Sequence, residues 1–164
     1  MYLPKYNVEL IDGFMKPKFN VAKFRFDFGI TVIEGGGGNN MLNDNLEDFT
    51  CHIKNCGCIM LLFNQPYQID SIRMLLGNDK NNYNKYSFFI ETSIDKENWE
   101  MAIDKRSESL SGWQMFQFEP RPASFIKITG TQNENDFICT YFECPCDPNV
   151  PIIMLKTSSF QTKN

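Results

Sequence analysis

The fold is decided in residues 58–76, which read CIMLLFNQPYQIDSIRMLL. Two apolar runs, Cys58 to Phe63 and Ile69 to Leu76, stand on either side of the turn-forming residues Asn64-Gln65-Pro66. Short apolar runs that end at turn formers are typical of strands, whereas helices need longer periodic stretches. The stretch therefore predicts two successive strands separated by a turn.

Strand-like runs of the same kind recur along most of the chain. They cover residues 86–92, 99–103, 113–118, 124–129 and 138–143. No window keeps a convincing helical period. Regularly spaced short strands with turn signals between them predict an all-β sandwich or barrel.

Phenylalanine and proline positions refine this prediction. Phe24, Phe26 and Phe28 alternate with polar residues, which indicates a half-buried strand near the N-terminus. Pro120 and Pro122 are expected to separate two strands, because a proline cannot take part in a central ladder.

Composition limits the class of protein. The chain has 164 residues, of which 42% are hydrophobic, and this suits one domain with a substantial core. A formal net charge of −4 argues against a nucleic-acid partner. The longest apolar run, residues 59–63, is too short to insert into a membrane. Residues 1–13 lack the apolar segment of a secretory signal, so we expect a cytoplasmic location.

The chain offers little for catalysis. His52 is its only histidine, and the neighbouring Cys51 would point to the opposite face of a strand, so a Cys–His dyad is not expected. The run Gly35-Gly-Gly-Gly-Asn-Asn40 lacks the Lys-Ser/Thr of a phosphate loop and predicts a flexible loop. The sequence therefore predicts a protein that is not an enzyme, with His52 kept as a candidate binding residue.

Six cysteines leave three alternatives open. They are Cys51, Cys56, Cys58, Cys139, Cys144 and Cys146. Without a secretory signal we expect free thiols, and disulfides in an oxidising setting are the first alternative. A zinc site built from the two Cys-x-Cys pairs is the second, although their spacing is not that of the usual zinc knuckle.

A cluster of oxygen-bearing side chains follows the glycine run. Asn43, Asp44 and Asp48, with Asn45 and Glu47 between them, carry the ligand type that calcium prefers. The spacing is not that of an EF-hand, and the alternative is a solvated acidic loop. Calcium is therefore the one cofactor that the sequence leaves possible.

The best candidates for a recognition surface lie around an asparagine-rich turn. Asn81, Asn82 and Tyr83 form it, and Tyr86 follows. Loops on a rigid scaffold commonly carry binding, and tyrosine supplies contact area at low entropy cost. The alternative is that the tyrosines merely cap the sandwich. Arg73, in an otherwise apolar strand, either pairs with a carboxylate or recognises an anionic ligand.

The two tryptophans carry a further expectation. Trp99 and Trp113 open strands beside alternating apolar positions. We expect both in the sandwich core or between the sheets. The alternative is that they are exposed on loops and stack on sugar rings.

Short strings of residues carry a family resemblance. They are residues 65–76, residues 83–93 with Trp99, Gly112-Trp-Gln114, residues 121–133 and Phe142-Glu-Cys-Pro145. These strings are similar to those of the coagulation factor V/VIII type C (discoidin) domain. The resemblance covers about residues 30–146. More narrowly, it resembles the second such domain of the BTB/POZ domain-containing protein 9 family.

The resemblance implies an eight-stranded jelly-roll sandwich of the galactose-binding-like type, with recognition through loops at one end. It divides the chain into an extended lead-in (1–29), the discoidin-like domain (30–146) and a tail (147–164). Two features depart from the family. Gly77 and Asn78 stand where Trp-Asp is usual, and Cys144 has no cysteine near residue 30 to close a disulfide.

The expected function is that of a non-catalytic binding module. We expect a protein partner, in an adaptor or scaffold role, bound through loops at one end of the sandwich. The alternative is a domain that binds a carbohydrate or a lipid headgroup. Neither alternative involves nucleic acid or insertion into a membrane.

Overall fold

The computed structural model of the chain describes residues 8–22, 29–77, 84–132 and 135–150. Its strands are β1 (Val8–Ile11), β2 (Phe14–Pro17), β3 (Ile30–Glu34), β4 (Thr50–His52), β5 (Ile59–Leu76), β6 (Tyr86–Ser93), β7 (Glu100–Leu110), β8 (Gly112–Gly130) and β9 (Phe137–Glu143), with a short 3-10 helix at Gly38–Leu42. The strand predicted at Phe24–Phe28 and the candidate residues Asn81, Asn82 and Tyr83 lie outside the described residues.

The strands form two antiparallel sheets that share β5 and β8. The larger sheet has the order β3–β5–β8–β6–β7 and uses the start of β5 and the end of β8. The smaller sheet has the order β8–β5–β9–β4 and uses the end of β5 and the start of β8. The predicted all-β sandwich is confirmed.

The segments 64–66 and 120–122 do not end strands, and in this respect the prediction was wrong. They lie inside β5 and β8, where both strands bend together from one sheet into the other. The ladder between the two strands shifts register here, between Leu62 and Tyr67 and again between Ile69 and Ser71. Proline is tolerated at such an irregular point because few ladder hydrogen bonds depend on it.

Alternate residues of the larger sheet build the core. Ile59, Leu61, Ile90 and Ile128 are fully buried and face the smaller sheet. Phe137 of β9 meets them from the other side, with its ring 5.7 Å from that of Phe88. Burying each such side chain stabilises the fold by roughly 1.5–3 kcal/mol, so the strict alternation determines which face of each strand is inside.

The two ends of the sandwich differ. One, the terminal end, holds the hairpin of β1 and β2, which joins β5 through a bridge between Met15 and Tyr67, and also the end of β9. Opposite lies the loop end, defined as residues 53–58, 84–85, 131–132 and 135–136, where β4 and β8 finish and β5, β6 and β9 begin.

The terminal end is closed by one amide. Asn20 Oδ1 accepts hydrogen bonds from the backbone N–H of Ala22 (2.8 Å) and of Cys144 (3.0 Å). The N–H of Val21 donates to the carbonyl oxygen of Cys144 at 2.9 Å. Both partners are buried, so Asn20 joins the start and the end of the domain without a disulfide.

Candidate functional site

His52 organises the loop end. Its Nε2 accepts a hydrogen bond from the backbone N–H of Gly130 at 2.9 Å, so Nδ1 carries the proton and donates to the carbonyl oxygen of Ile53 at 2.9 Å. The ring stacks on Phe137, with a centroid distance of 5.5 Å and an interplanar angle of 17°. His52 is 6% exposed. Both ring nitrogens are engaged, and the histidine ties β4 to the end of β8.

Tyr86, the second aromatic candidate at this end, faces the core. It is 1% exposed and packs edge-on against Phe137 at 5.5 Å. Burial raises the pKa of its hydroxyl above the ordinary value of 10.0. This placement favours the alternative that Tyr86 caps the sandwich.

Gly130 is a site residue that sequence reasoning missed. A Cβ atom at this position would lie 2.8 Å from both Cβ and Cδ2 of Phe137. Only glycine lets the end of β8 approach that ring while its N–H reaches His52. The signals in the sequence are its place in the string 121–133, which carries the family resemblance, and its position at the end of an apolar run, which usually marks only a turn.

Ile53 is the large apolar side chain that is exposed among the described residues of the loop end. It is 68% exposed at the first position of a turn that the Cys56 N–H closes onto the Ile53 carbonyl oxygen at 3.2 Å. The N–H of Lys54 donates to Asp136 Oδ1 at 3.0 Å, which attaches this turn to residues 135–136. The groove beneath, between His52 and Asn135, leaves no space for a water molecule.

Arg73 is buried on the outer side of the smaller sheet, away from the loop end. Its guanidinium is 3% exposed and pairs with Glu143 at 3.5 Å, and Nη2 donates to the Asp147 carbonyl oxygen at 2.6 Å. The Tyr141 hydroxyl donates to the same Glu143 carboxylate at 3.3 Å. Of the two interpretations of Arg73, the structure favours pairing with a carboxylate.

The loop proposed for calcium is closed by its own hydrogen bonds. Asp48 Oδ2 accepts from the side-chain amides of Asn43 (3.2 Å) and Asn45 (3.1 Å). The N–H of Asn45 donates to Asn43 Oδ1 at 2.8 Å, while Asp44 is exposed at the tip of the loop. Calcium at Asn43, Asp44 and Asp48 stays a prediction, and an ion would have to displace the amide donors from Asp48.

The cysteines are free thiols of differing exposure. Cys56 is exposed, whereas Cys139 and Cys144 are fully buried. Burial raises the pKa of Cys139 to about 12 and, with the carboxylate of Glu34, raises that of Cys58 to about 11. In the part of the chain that the structure describes, no three Cys, His, Asp or Glu side chains are grouped as a metal site, so the pairs of the zinc alternative lie apart.

The tryptophans are not in the core between the sheets, contrary to expectation. Trp99 packs against Phe125 at 6.4 Å on the outer face of the larger sheet. Trp113 packs against Tyr141 at 5.3 Å on the outer face of the smaller one. Alternation shows that a residue lies on one face of a sheet, but it does not show which face is buried. Both tryptophans lie on the face away from the core.

A cleft of about 330 Å³ lies at the terminal end. The hairpin forms one wall of the cleft and residues 143–147 form the other, and a 3.0 Å ion pair between Lys16 and Asp70 lies at its edge.

Within the described ranges, no helix is long and apolar enough to cross a bilayer.

Comparison with known proteins places this geometry in a family. The sequence profile of the F5/8 type C domain matches residues 33–144. BTB/POZ domain-containing protein 9 of Drosophila melanogaster is 34% identical over 144 residues, which cover 83% of this chain and 20% of that protein. Its Bos taurus counterpart is 39% identical over 143 residues, 81% of this chain and 23% of that protein. The chain thus spans about a fifth of the length of these relatives.

Solved structures share the fold. The module CpGH89CBM32-6 produced by Clostridium perfringens superposes with a TM-score of 0.61 at 13% identity, over 78% of this chain and 99% of that one. A pectin-binding carbohydrate-binding module superposes with a TM-score of 0.59 at 17% identity, over 75% and 93% of the two chains. At such identities the likeness extends to the fold alone.

Proposed function

Because this chain belongs to the F5/8 type C domain family, we propose that it binds a protein partner through its loop end and catalyses no reaction. The resemblance seen in the sequence is confirmed, both for the family and for the BTB/POZ domain-containing protein 9 relatives. A discoidin-type domain is a binding module, and the class of partner is the proposal.

Ile53 is the observation that carries the proposal. Its side chain is 68% exposed beside the polar residues Lys54 and Asp136, which are joined by a hydrogen bond. An apolar anchor within a polar rim is the usual anatomy of a protein interface. The hydrogen bond from Lys54 to Asp136 holds the turn in place, so little conformational entropy is lost when a partner covers it.

The described residues of the loop end support a protein over a small ligand. Small-molecule sites are concave, whereas the groove between His52 and Asn135 admits no water. Catalysis finds no support in His52, because both of its ring nitrogens are engaged in hydrogen bonds within the fold.

A glycan is the second candidate, and the structural relatives favour it. One of them is a pectin-binding module, and another was solved in complex with GalNAc-beta-1,3-galactose. Sugars commonly stack on exposed aromatic rings, but at the loop end the described rings of His52, Tyr86 and Phe137 are buried. The protein partner is therefore preferred. A cytoplasmic adaptor role is part of the same proposal and agrees with the BTB/POZ relatives.

The proposal is tested by comparing three immobilised proteins: the natural chain, Ile53→Lys, and Met101→Lys as a matched control. Met101 is also apolar and is 41% exposed, but lies on β7 of the larger sheet, outside the residues that define the loop end. We expect specific proteins to be retained from cell extract by the natural chain and the control, and to be lost with Ile53→Lys.

Two results would contradict this expectation. Retention of the same proteins by all three forms would exclude the loop end as the binding surface. Binding of the natural chain to a glycan array, with no protein retained specifically, would favour the carbohydrate alternative.

A further inference from the structure

His52 connects the Ile53 turn to the end of β8 through its two ring nitrogens. Nδ1 donates to the Ile53 carbonyl oxygen and Nε2 accepts from the Gly130 N–H, both at 2.9 Å. The same Ile53 carbonyl oxygen also accepts from the N–H of Cys56 at 3.2 Å. The position of Ile53 therefore depends on the imidazole ring as well as on its own turn.

This arrangement requires a neutral imidazole. A protonated ring carries a hydrogen on both nitrogens and can no longer accept a hydrogen bond. Protonation sets the N–H of Nε2 against the N–H of Gly130, so that both donors lose their partner. A donor that is shut off from water without an acceptor is costly, and the protonated ring therefore has to move away from Gly130.

The groove around the ring cannot solvate the added charge. His52 is 6% exposed, and the groove that it shares with Gly130 leaves no space for a water molecule. The ring of Phe137 stacks on one of its faces at a centroid distance of 5.5 Å. Burial of a charge is unfavourable unless the charge is paired and hydrogen-bonded, so protonation drives the ring out of its present position.

The charged groups near the ring do not offset this cost. Lys54 lines the same groove, and its cation opposes a second positive charge there. Asp136 accepts from the Lys54 N–H at 3.0 Å, but both side chains are exposed and therefore screened by water. The neighbouring titratable groups, Tyr86 of β6 and Cys139 of β9, stay neutral between about pH 5 and pH 8, the range in which histidine titrates, because burial raises the pKa of both.

The groove offers an acceptor for the new N–H. Gln132 Oε1 is buried there and accepts no hydrogen bond within the described residues. Gln132 follows Gly130 by two residues, so its oxygen is available to Nε2 once the ring has left the Gly130 N–H. The loop end thus offers the protonated histidine a second hydrogen-bonding arrangement.

We propose that protonation of His52 switches the loop end from a form that binds its protein partner to a form that does not. The inference rests on the proposed function, because it concerns the regulation of the same surface. At neutral pH the ring holds the turn that presents Ile53. Acidification releases the ring from Gly130, and the Ile53 turn, bonded to the same ring, moves with it.

Because His52 is the only histidine of the chain, a pH titration followed by NMR reports on it directly. We expect the amide resonance of Gly130 and the imidazole nitrogen resonances of His52 to change together between about pH 8 and pH 5. The amide resonances of Ala22 and Cys144, at the terminal end, should stay constant and so exclude general unfolding.

His52→Gln is the matched control, since its side-chain oxygen can accept from the Gly130 N–H but does not titrate. In this variant the Gly130 resonance should stay constant over the same range. When the immobilised natural chain has retained proteins from cell extract at neutral pH, we expect it to release them in acid, whereas His52→Gln should keep them.

Three results would overturn the switch. They are a Gly130 resonance that stays constant while His52 becomes protonated, a His52 ring that stays neutral down to about pH 5, and the same pH dependence in His52→Gln as in the natural chain. Failure of the natural chain to retain any protein at neutral pH would contradict the proposed function alone, since the NMR titration needs no partner.

Discussion

At the level of single residues, the loop end depends on the contact between Gly130 and Phe137, which leaves no space for a side chain at position 130. Gly130 is pressed against the ring of Phe137, and its N–H is the donor that selects the tautomer of His52. The three residues come from β8, β9 and β4, so their contact joins the shared strand β8 to the two outer strands of the smaller sheet.

Gly130→Ala should destabilise the fold by about 1–3 kcal/mol, because the added methyl overpacks the site. The Phe137 ring must move, which also disturbs its stacking on His52. Urea unfolding measures the effect as a lower midpoint with an unchanged m-value. Phe137→Ala removes Cγ and Cδ2, two of the three atoms that the new methyl would meet. Gly130→Ala should therefore cost less in that background, and strict additivity of the two changes would contradict the proposed contact.

At the level of elements, turns held by side chains join the strands. Between β6 and β7, Asp95 Oδ1 accepts from the N–H of Glu97 (2.9 Å) and of Asn98 (2.8 Å), and the Asn98 amide donates to Oδ2 at 2.7 Å. The hydrogen bonds from Asn98, and then that from Glu97, hold the pKa of Asp95 well below its ordinary value of 3.8.

Asp95→Asn should therefore lower stability in a pH-dependent way. Because the pKa of Asp95 is lowered in the folded state, its carboxylate stabilises the fold above pH 3.8, and this contribution is lost as the pH falls towards the folded pKa. Melting temperatures of the two proteins should differ at neutral pH and converge in acid. A constant difference at all pH values would show that the charge of Asp95 has no part in the turn.

The loop before β4 is the element on which the calcium hypothesis depends. Calcium bound at Asn43, Asp44 and Asp48 should raise the melting temperature. At a free calcium concentration of a hundred times Kd, the free energy of unfolding should rise by about 2.7 kcal/mol. A chelator should reverse the increase, and Asp48→Asn should abolish it. An unchanged melting temperature with calcium and with chelator would reject the hypothesis.

At the level of the whole molecule, Asn20 closes the domain. Its amide oxygen accepts a hydrogen bond from the backbone N–H of Cys144, which lies 124 positions further along the chain. Ser71 holds the next residues of the same segment, since its hydroxyl accepts from the Cys146 N–H at 3.0 Å and donates to the Cys146 carbonyl oxygen at 3.2 Å.

Asn20→Ala should destabilise the whole domain, by about 1–3 kcal/mol for each buried N–H that loses its acceptor. Asn20→Asp keeps an acceptor oxygen and should cost less, which makes it the matched control. Chemical denaturation gives both values. Equal losses in the two variants would show that the hydrogen bonds of Asn20 do not hold the ends together.

Much of the fold could be predicted because its signals are local. Apolar runs of strand length, ended by turn formers, indicated an all-β sandwich, and short matching strings of residues indicated the family. The bends at residues 64–66 and 120–122 could not be predicted, because a proline in a turn and a proline at a sheet corner look alike in sequence. They differ only in where the neighbouring strand lies.

Less of the site could be predicted. Alternation assigns His52, Tyr86 and Arg73 to one face of a strand, but it does not show what covers that face. His52 meets Gly130, Tyr86 meets Phe137 and Arg73 meets Glu143, and each of these partners is distant in sequence.

The sequence by itself determined an all-β sandwich, because hydrophobic periodicity and turn chemistry act between near neighbours. The discoidin family followed separately, from the resemblance carried by short strings of residues. Only the tertiary structure decided which polar and aromatic residues remain available at the surface. Burial depends on contacts between strands that the chain brings together from far apart, so exposed Ile53, buried Tyr86 and the hydrogen bonds of His52 become visible only once the sheets are assembled.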